Sequence, residues 1–191
     1  MGERAEELIA VTTEHRFSMW RAQGTMCRGL VKVENGNVTE GMSVLRSGLT
    51  ASRDTGVPGP QEFIVLAAAC EIAGQVEEAL TLLDEALQIG EKTGNRWLEA
   101  ELTRRKGQLL LRRGDTEAAE ELYRKALSLA EAQHAKLWEL RAAMSLARLW
   151  RDRGEHAEAR ALLAPIYSWF TEGFSTPDLK EAKSLLEALD A

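Results

Sequence analysis

Gly36-Asn37-Val38-Thr39-Glu40-Gly41, Gly74-Gln75-Val76-Glu77-Glu78-Ala79, Gly114-Asp115-Thr116-Glu117-Ala118-Ala119 and Gly154-Glu155-His156-Ala157-Glu158-Ala159 are four versions of one phrase. Their leading glycines stand 38, 40 and 40 residues apart. A fixed period in this range marks a stacked array of helix hairpins. Such arrays present a surface to a partner more often than a catalytic pocket.

Columns of residue size surround each glycine. Seven residues before it stand Gly29, Ala67, Gly107 and Ala147; five after it stand Gly41, Ala79, Ala119 and Ala159. Twelve after it come Gly48, Ala86, Ala126 and then Ile166, the one break in that column. Nine after it is a larger residue, Leu45, Leu83, Tyr123 or Leu163. Small residues let two helix axes approach closely, and the larger one fills the space beside the crossing. The glycine itself suits the left-handed conformation that ends a helix. Acids after it (Glu77, Glu78, Asp115, Glu117) complement the positive start of the second helix, and bases before it (Arg112, Arg113, Arg151, Arg153) the negative end of the first.

The reading is therefore all-α over one domain, 1–191, with hairpins at 16–53, 60–92, 96–133 and 136–170. The first helices span 16–34, 60–73, 96–113 and 136–153; the second span 38–53, 76–92, 116–133 and 156–170. Residues 3–14 carry Ala5, Leu8 and Ile9 at helical spacing and lead into Glu14-His15-Arg16-Phe17-Ser18-Met19-Trp20, which echoes Gln133-His134-Ala135-Lys136-Leu137-Trp138. This segment reads as the orphan second helix of a truncated hairpin, and the chain as part of something longer. Ser175-Thr176-Pro177-Asp178 is a helix start with Thr176 as N-cap and proline first. The stripe Leu179, Ala182, Leu185, Leu186 and Leu189 makes 177–189 a capping helix for the last hairpin.

The 191 residues are 45% apolar and 28% charged, as expected of a soluble, core-forming protein, with a net charge of −6. That balance argues against nucleic-acid binding through overall charge. Cys27 and Cys70 sit in apolar helical sequence with no Cys-x-x-Cys pair, pointing to a reducing cytoplasmic setting and inert core thiols. No run approaches ~20 apolar residues, so no membrane span is expected. His15, His134 and His156 have no metal-ligand spacing. His15 and His134 are read as caps at the ends of second helices, and no metal, cofactor or catalytic constellation is expected. Trp20, Trp97 and Trp138 recur at the starts of first helices, where packing between adjacent hairpins is the expected role. Trp169, Phe170 and Phe174 are expected under the following helix, the alternative being an exposed aromatic patch.

Over 16–170 the repeat resembles the tetratricopeptide repeat in a longer variant. The resemblance implies a right-handed superhelix of antiparallel hairpins, with first helices lining the concave face. Two departures stand out: the aromatic early in the first helix is matched by Phe63 but replaced by Thr25, Thr103 and Ala143, and no proline closes the repeat. The phrases Trp138-Glu-Leu-Arg-Ala-Ala-Met-Ser-Leu-Ala-Arg-Leu-Trp150, Leu162-Leu-Ala-Pro-Ile-Tyr-Ser-Trp-Phe-Thr-Glu-Gly-Phe174 and Pro177-Asp-Leu-Lys-Glu-Ala-Lys183 resemble the C-terminal tails of bacterial multidomain regulators. There a cyclase-like domain or a P-loop ATPase module precedes the repeats. The resemblance implies a non-catalytic regulatory module; neither catalytic motif is in this chain.

By the same geometry the groove is lined by Met26, Leu30, Ile64 and Ala68 in the first half and by Arg104, Gln108, Arg141 and Arg148 in the second. An acidic protein or peptide segment would suit that mixed lining. The competing readings are self-association into a homo-oligomer, for which the N-terminal hairpin edge and the Trp169–Phe174 cluster speak, and a peptide or small-ligand sensor.

Overall fold

A computed structural model describes residues 2–56 and 59–190; the ends of the 1–191 range lie outside the described residues. Ten helices and no strand occur among them. In chain order these are α1 (Gly2–Glu14), α2 (Ser18–Glu34), α3 (Val38–Asp54), α4 (Pro60–Ile72), α5 (Val76–Thr93), α6 (Glu99–Arg112), α7 (Thr116–Ala132), α8 (Lys136–Asp152), α9 (His156–Ser168) and α10 (Pro177–Leu189). The chain divides into two compact units, Met1–Leu98 and Glu99–Ala191.

The recurring glycines each close a first helix in the left-handed region, with φ of 87° at Gly36, 73° at Gly74, 92° at Gly114 and 83° at Gly154. An L side chain there would meet the carbonyl, so glycine is the inexpensive choice. The next N–H then reaches back five residues to an otherwise orphaned carbonyl. Asn37 bonds Lys32 at 2.9 Å, Gln75 bonds Cys70 at 2.8 Å, Asp115 bonds Leu110 at 2.9 Å and Glu155 bonds Trp150 at 2.9 Å.

The same closure ends α1 and α7 without glycine. Arg16 (φ 56°) and His134 (φ 53°) take the left-handed position, and Phe17 and Ala135 donate back to Thr12 and Ala130, both at 2.9 Å. This is the physical content of the echoed phrase, and it makes α2 begin at Ser18 rather than at 16. His134 is thus a strained turn residue. Likewise α6 begins at Glu99, not 96, because left-handed Gly94 (φ 73°) ends α5 and Arg96 N–H bonds the Gly94 carbonyl at 3.1 Å. At α10, Thr176 holds the N-cap position, but its hydroxyl donates to the Gly173 carbonyl at 2.7 Å instead of accepting from the helix.

In the first unit, α2 and α3 cross on glycine. A Cβ at Gly41 would lie 2.7 Å from the Gly29 oxygen and 2.8 Å from the Val33 nitrogen; one at Gly48 would lie 2.5 Å from Met26 Cγ. Backbone thus packs on backbone, and a methyl group has no room. α1 lies on α2 over Gly24, where a Cβ would come 2.9 Å from Ile9 Cγ1. In the second unit alanines carry most crossings: Ala119, Ala126, Ala147 and Ala159 are fully buried. One core of this unit joins Leu140, Met144 and Ala147 of α8 to Leu163 and Ile166 of α9 and to Leu179, Ala182, Leu185 and Leu189 of α10. The helix 177–189 therefore covers the last hairpin through its apolar stripe.

Candidate interaction surface

The first helices α2, α4, α6 and α8 carry the residues expected to face a partner, and each unit holds half of them. In the first unit, Leu30, Ile64 and Ala68 are half-buried and Ile72, a turn further along α4, is 52% exposed. Met26 is only 2% exposed, its Cγ over Gly48, so it packs the hairpin rather than lining an open surface. Cys27 is half-buried on α2, and burial raises its thiol pKa. Burial pushes the Cys70 thiol up to about 11, with the Glu78 charge adding to it. Neither is a ready nucleophile.

In the second unit the structure draws Arg104, Gln108 and Arg141 around one acid. Glu101 is 3% exposed. Arg104 Nε and Nη2 donate to its two oxygens at 2.8 Å each, a bidentate pair. Arg105 Nε adds a bond at 3.1 Å, and Arg141 Nη1 stands 3.8 Å away. The remaining Arg104 nitrogen reaches Ser145 Oγ at 3.2 Å and Gln108 Oε1 at 3.5 Å. Burial alone would raise the Glu101 carboxyl, but the hydrogen bonds and charge of Arg104, with Arg105 and Arg141, hold it below the usual range. For Arg104 burial opposes the charge and Glu101 outweighs it, so the guanidinium stays protonated.

The ladder continues onto α10. Arg141 Nε and Nη2 donate to Asp178 at 2.6 and 2.9 Å, and the Asp178 carboxyl is held low, chiefly by those bonds. Arg148 pairs with Glu181 at 2.6 Å, beside a cavity of about 200 Å³ also lined by Arg151, Ser184, Leu185 and Ala188. The sequence shows the arginines and Glu101 on these helices but not which acid each arginine meets. Glu101 sits on α6 and both Asp178 and Glu181 on α10, and the spacing of Glu101, Arg141 and Asp178, close to one repeat each, is the available signal.

The opposite face of this unit has its own cluster. Glu120 of α7 accepts from Trp150 Nε1 at 3.1 Å, from Arg124 at 2.7 Å and from Arg153 at 2.5 Å. The Trp150 bond first, then the two guanidinium groups, hold its carboxyl at about 2.

The aromatic residues differ from expectation. Trp20 and Trp97 are 49% and 54% exposed, so they do not pack between hairpins; Trp138 is half-covered, with the Arg141 guanidinium 5.1 Å from its ring centre. Trp169 and Phe174 are 58% and 47% exposed. The helix after them turns its leucines to α8 and α9 and leaves these rings uncovered; Phe170 alone packs on the core. Among the described residues no group of three His, Cys, Asp or Glu side chains is placed to hold a metal ion, and no helix is long and apolar enough to cross a membrane.

An all-α chain of antiparallel hairpins on a 38–40-residue period, with first-helix faces offered to solvent, is a helical-repeat module of the α-solenoid type. Residues 64–132 and again 140–165 match the tetratricopeptide repeat family, and these segments are tetratricopeptide repeats. BtubC (BKLC) from P. vanneervenii has a similar fold, with a TM-score of 0.78 at 15% identity over 98% of this chain and 80% of that one. A kinesin light chain-like protein of Podosopora anserina with nearly identical TPR-like repeats gives 0.66 at 20% identity, over 88% and 85%. A signal transduction ATPase with numerous domains from Pyrococcus horikoshii, which carries a tetratricopeptide repeat sensor, gives 0.70 at 16% identity, over 90% of this chain and 27% of that one. No curated protein matches the sequence.

Proposed function

We propose that this chain is a protein-interaction module that regulates an attached signalling enzyme, a nucleotide cyclase or P-loop ATPase of a bacterial cytoplasmic regulator. The repeat is the coarse ground for it: tetratricopeptide modules generally bind proteins or peptides. The finer reading is supported by the Trp138–Trp150, Leu162–Phe174 and Pro177–Lys183 phrases. It is also supported by the likeness to a signal transduction ATPase whose repeats are described as a sensor.

The observation that carries the binding reading is the half-buried apolar strip Leu30, Ile64, Ala68 and exposed Ile72 on α2 and α4. Such side chains are covered enough to be held in place and open enough to gain from a partner. Arg141 and Arg148, about a third exposed, offer the acid-recognising part, and an incoming carboxylate would exchange with Asp178 and Glu181.

The test is co-purification of the full-length gene product with its partner, repeated with Leu30→Glu and Ala68→Glu and with Arg148→Glu. The first pair is expected to abolish recovery and the third to weaken it, while helical circular dichroism is unchanged. Full recovery with all three substitutions would sink the groove. Cyclase and ATPase assays of that product, with and without this region, test the regulatory part: an activity insensitive to its removal speaks against it.

A further inference from the structure

Two exposed apolar patches lie outside the faces described above. The first is at the α1–α2 junction, where Val11, Phe17, Met19 and Trp20 are 48%, 56%, 46% and 49% exposed. The His15 ring stacks on Phe17 at 6.0 Å. Arg16 and Arg21 flank this patch, both exposed and without an ion pair among the described residues, and Glu14 is the acid next to them in sequence. The second patch is at the end of α9, where Trp169 and Phe174 join Leu137, 41% exposed. Its cation is already engaged: Lys136 Nζ lies 2.7 Å from Glu139 and 5.6 Å from the Trp169 ring centre. Its open charge is exposed Glu172.

The echoed phrase says what fits the first patch. In its second occurrence, Gln133–Trp138, the aromatic end of α9 lies alongside, with Trp169 against Lys136. In its first occurrence, Glu14–Trp20, the stretch after the corresponding helix α3, residues 55–60, has no aromatic residue, and the rings stand half-exposed. We propose that the chain self-associates head to tail: the basic, apolar α1–α2 junction of one copy seats on the acidic, aromatic end of α9 of a second copy. Arg16 and Arg21 meet Glu172 at the rim, while Phe17 and Trp20 pack on Trp169 and Phe174.

The size of the patches sets the strength. At ~150–250 Å² per large side chain and about half exposure, each patch offers roughly 300–400 Å² of apolar surface. That is the range in which a patch marks an interaction site. It falls short of the ~800 Å² per partner of a standard stable interface, so association is weak and concentration-dependent. A contact between unlike patches also leaves one of each free at the ends of the assembly.

Sedimentation equilibrium of the whole chain from micromolar to submillimolar concentration tests this. The mass is expected to rise above the 21.2 kDa of one chain. Phe17→Glu with Trp20→Glu, and separately Trp169→Glu with Phe174→Glu, are each expected to give a single chain throughout. Their equimolar mixture regains a one-to-one complex, because each variant keeps the patch the other lacks. Arg16→Glu with Arg21→Glu weakens association at least tenfold, and mixing with Glu172→Arg restores it; these rim changes leave the apolar core intact should an aromatic pair misfold. A wild type that stays a single chain at every concentration overturns the proposal, as does a mixture that remains dissociated. A dissociated chain that instead sediments with phosphatidylglycerol vesicles assigns the first patch to a lipid surface and overturns it equally.

Discussion

The two units use the same repeat and tie their hairpins in opposite ways. In Met1–Leu98 the inner face is apolar, and two ion pairs join the second helices of adjacent repeats: Arg46 to Glu78 at 2.8 Å and Arg53 to Glu85 at 2.7 Å, each side chain 38–49% exposed. In Glu99–Ala191 the ion pairs run along the first helices, from Glu101 through Arg141 to Asp178, and their anchor is buried. Exposed pairs of the first kind contribute little, about 0–1 kcal/mol. A buried carboxylate held by a bidentate guanidinium is a different object: neither partner can be removed without stranding the other. The first unit compensates with closeness, since α2 and α3 meet on Gly29, Gly41 and Gly48.

The sharpest way to break this contrast is Glu101→Ala. It leaves Arg104, 13% exposed, without its counter-charge, and a loss of about 3–5 kcal/mol is expected in urea unfolding. Loss of less than ~1 kcal/mol, as at an exposed pair, would place the second unit's ladder with the first unit's surface pairs.

Acid attacks the same unit. The Glu101, Glu120 and Asp178 carboxyls all lie below their ordinary values, and all three belong to the second unit. A carboxyl depressed in the folded state adds stability that is fully present above its unfolded pKa of about 4 and is lost as pH falls through the folded value. For Glu120 that value is about 2. Amide exchange measured between pH 5 and 2 is therefore expected to rise in α6–α10 before α2–α5. Uniform loss of protection would contradict the contrast.

Close packing is tested from the other side. Gly41→Ala places a methyl group against backbone atoms of α2 and is expected to cost about 1–3 kcal/mol, although alanine is the native residue at 79, 119 and 159. Ala119→Leu is expected to cost a similar amount, because Ala119 is fully buried. A thermal melt unmoved by either substitution would mean that the crossing does not bear on those positions.

The smallest effect has the opposite sign. His134→Gly relieves a left-handed residue that bears a Cβ, and a gain of roughly 1 kcal/mol is expected. Gly114→Ala introduces the same strain and is expected to lose about that much, as a calorimetric pair would show.

Much of the fold is legible in the sequence because its determinants are local. A left-handed turn needs glycine, or tolerates Arg16 and His134, and a helix crossing needs a small residue at fixed distance from that turn. Both requirements recur at the repeat period and can be counted. The α10 stripe is legible for the same reason, since Leu179, Ala182, Leu185 and Leu189 share one face by spacing alone.

The candidate surface is less legible, because it depends on pairs. Arg104, Arg141 and Arg148 read as open cations until helix packing sets Glu101, Asp178 and Glu181 beside them. Met26 reads as groove lining until Gly48 opens a slot for it in the hairpin. Trp20 and Trp97 read as packed between hairpins by their recurrence, and Trp169 and Phe174 as covered by the following helix, yet their burial depends on which neighbouring segment reaches them. The sequence by itself determined the period, the helices, their turns and their apolar faces, since each follows from the stereochemistry of a few adjacent residues. Tertiary structure alone decided which charges cancel and which rings stay open, because Coulomb pairing and burial act between atoms that the folded chain brings together from some 40 residues apart, as Arg104 and Ser145 are here.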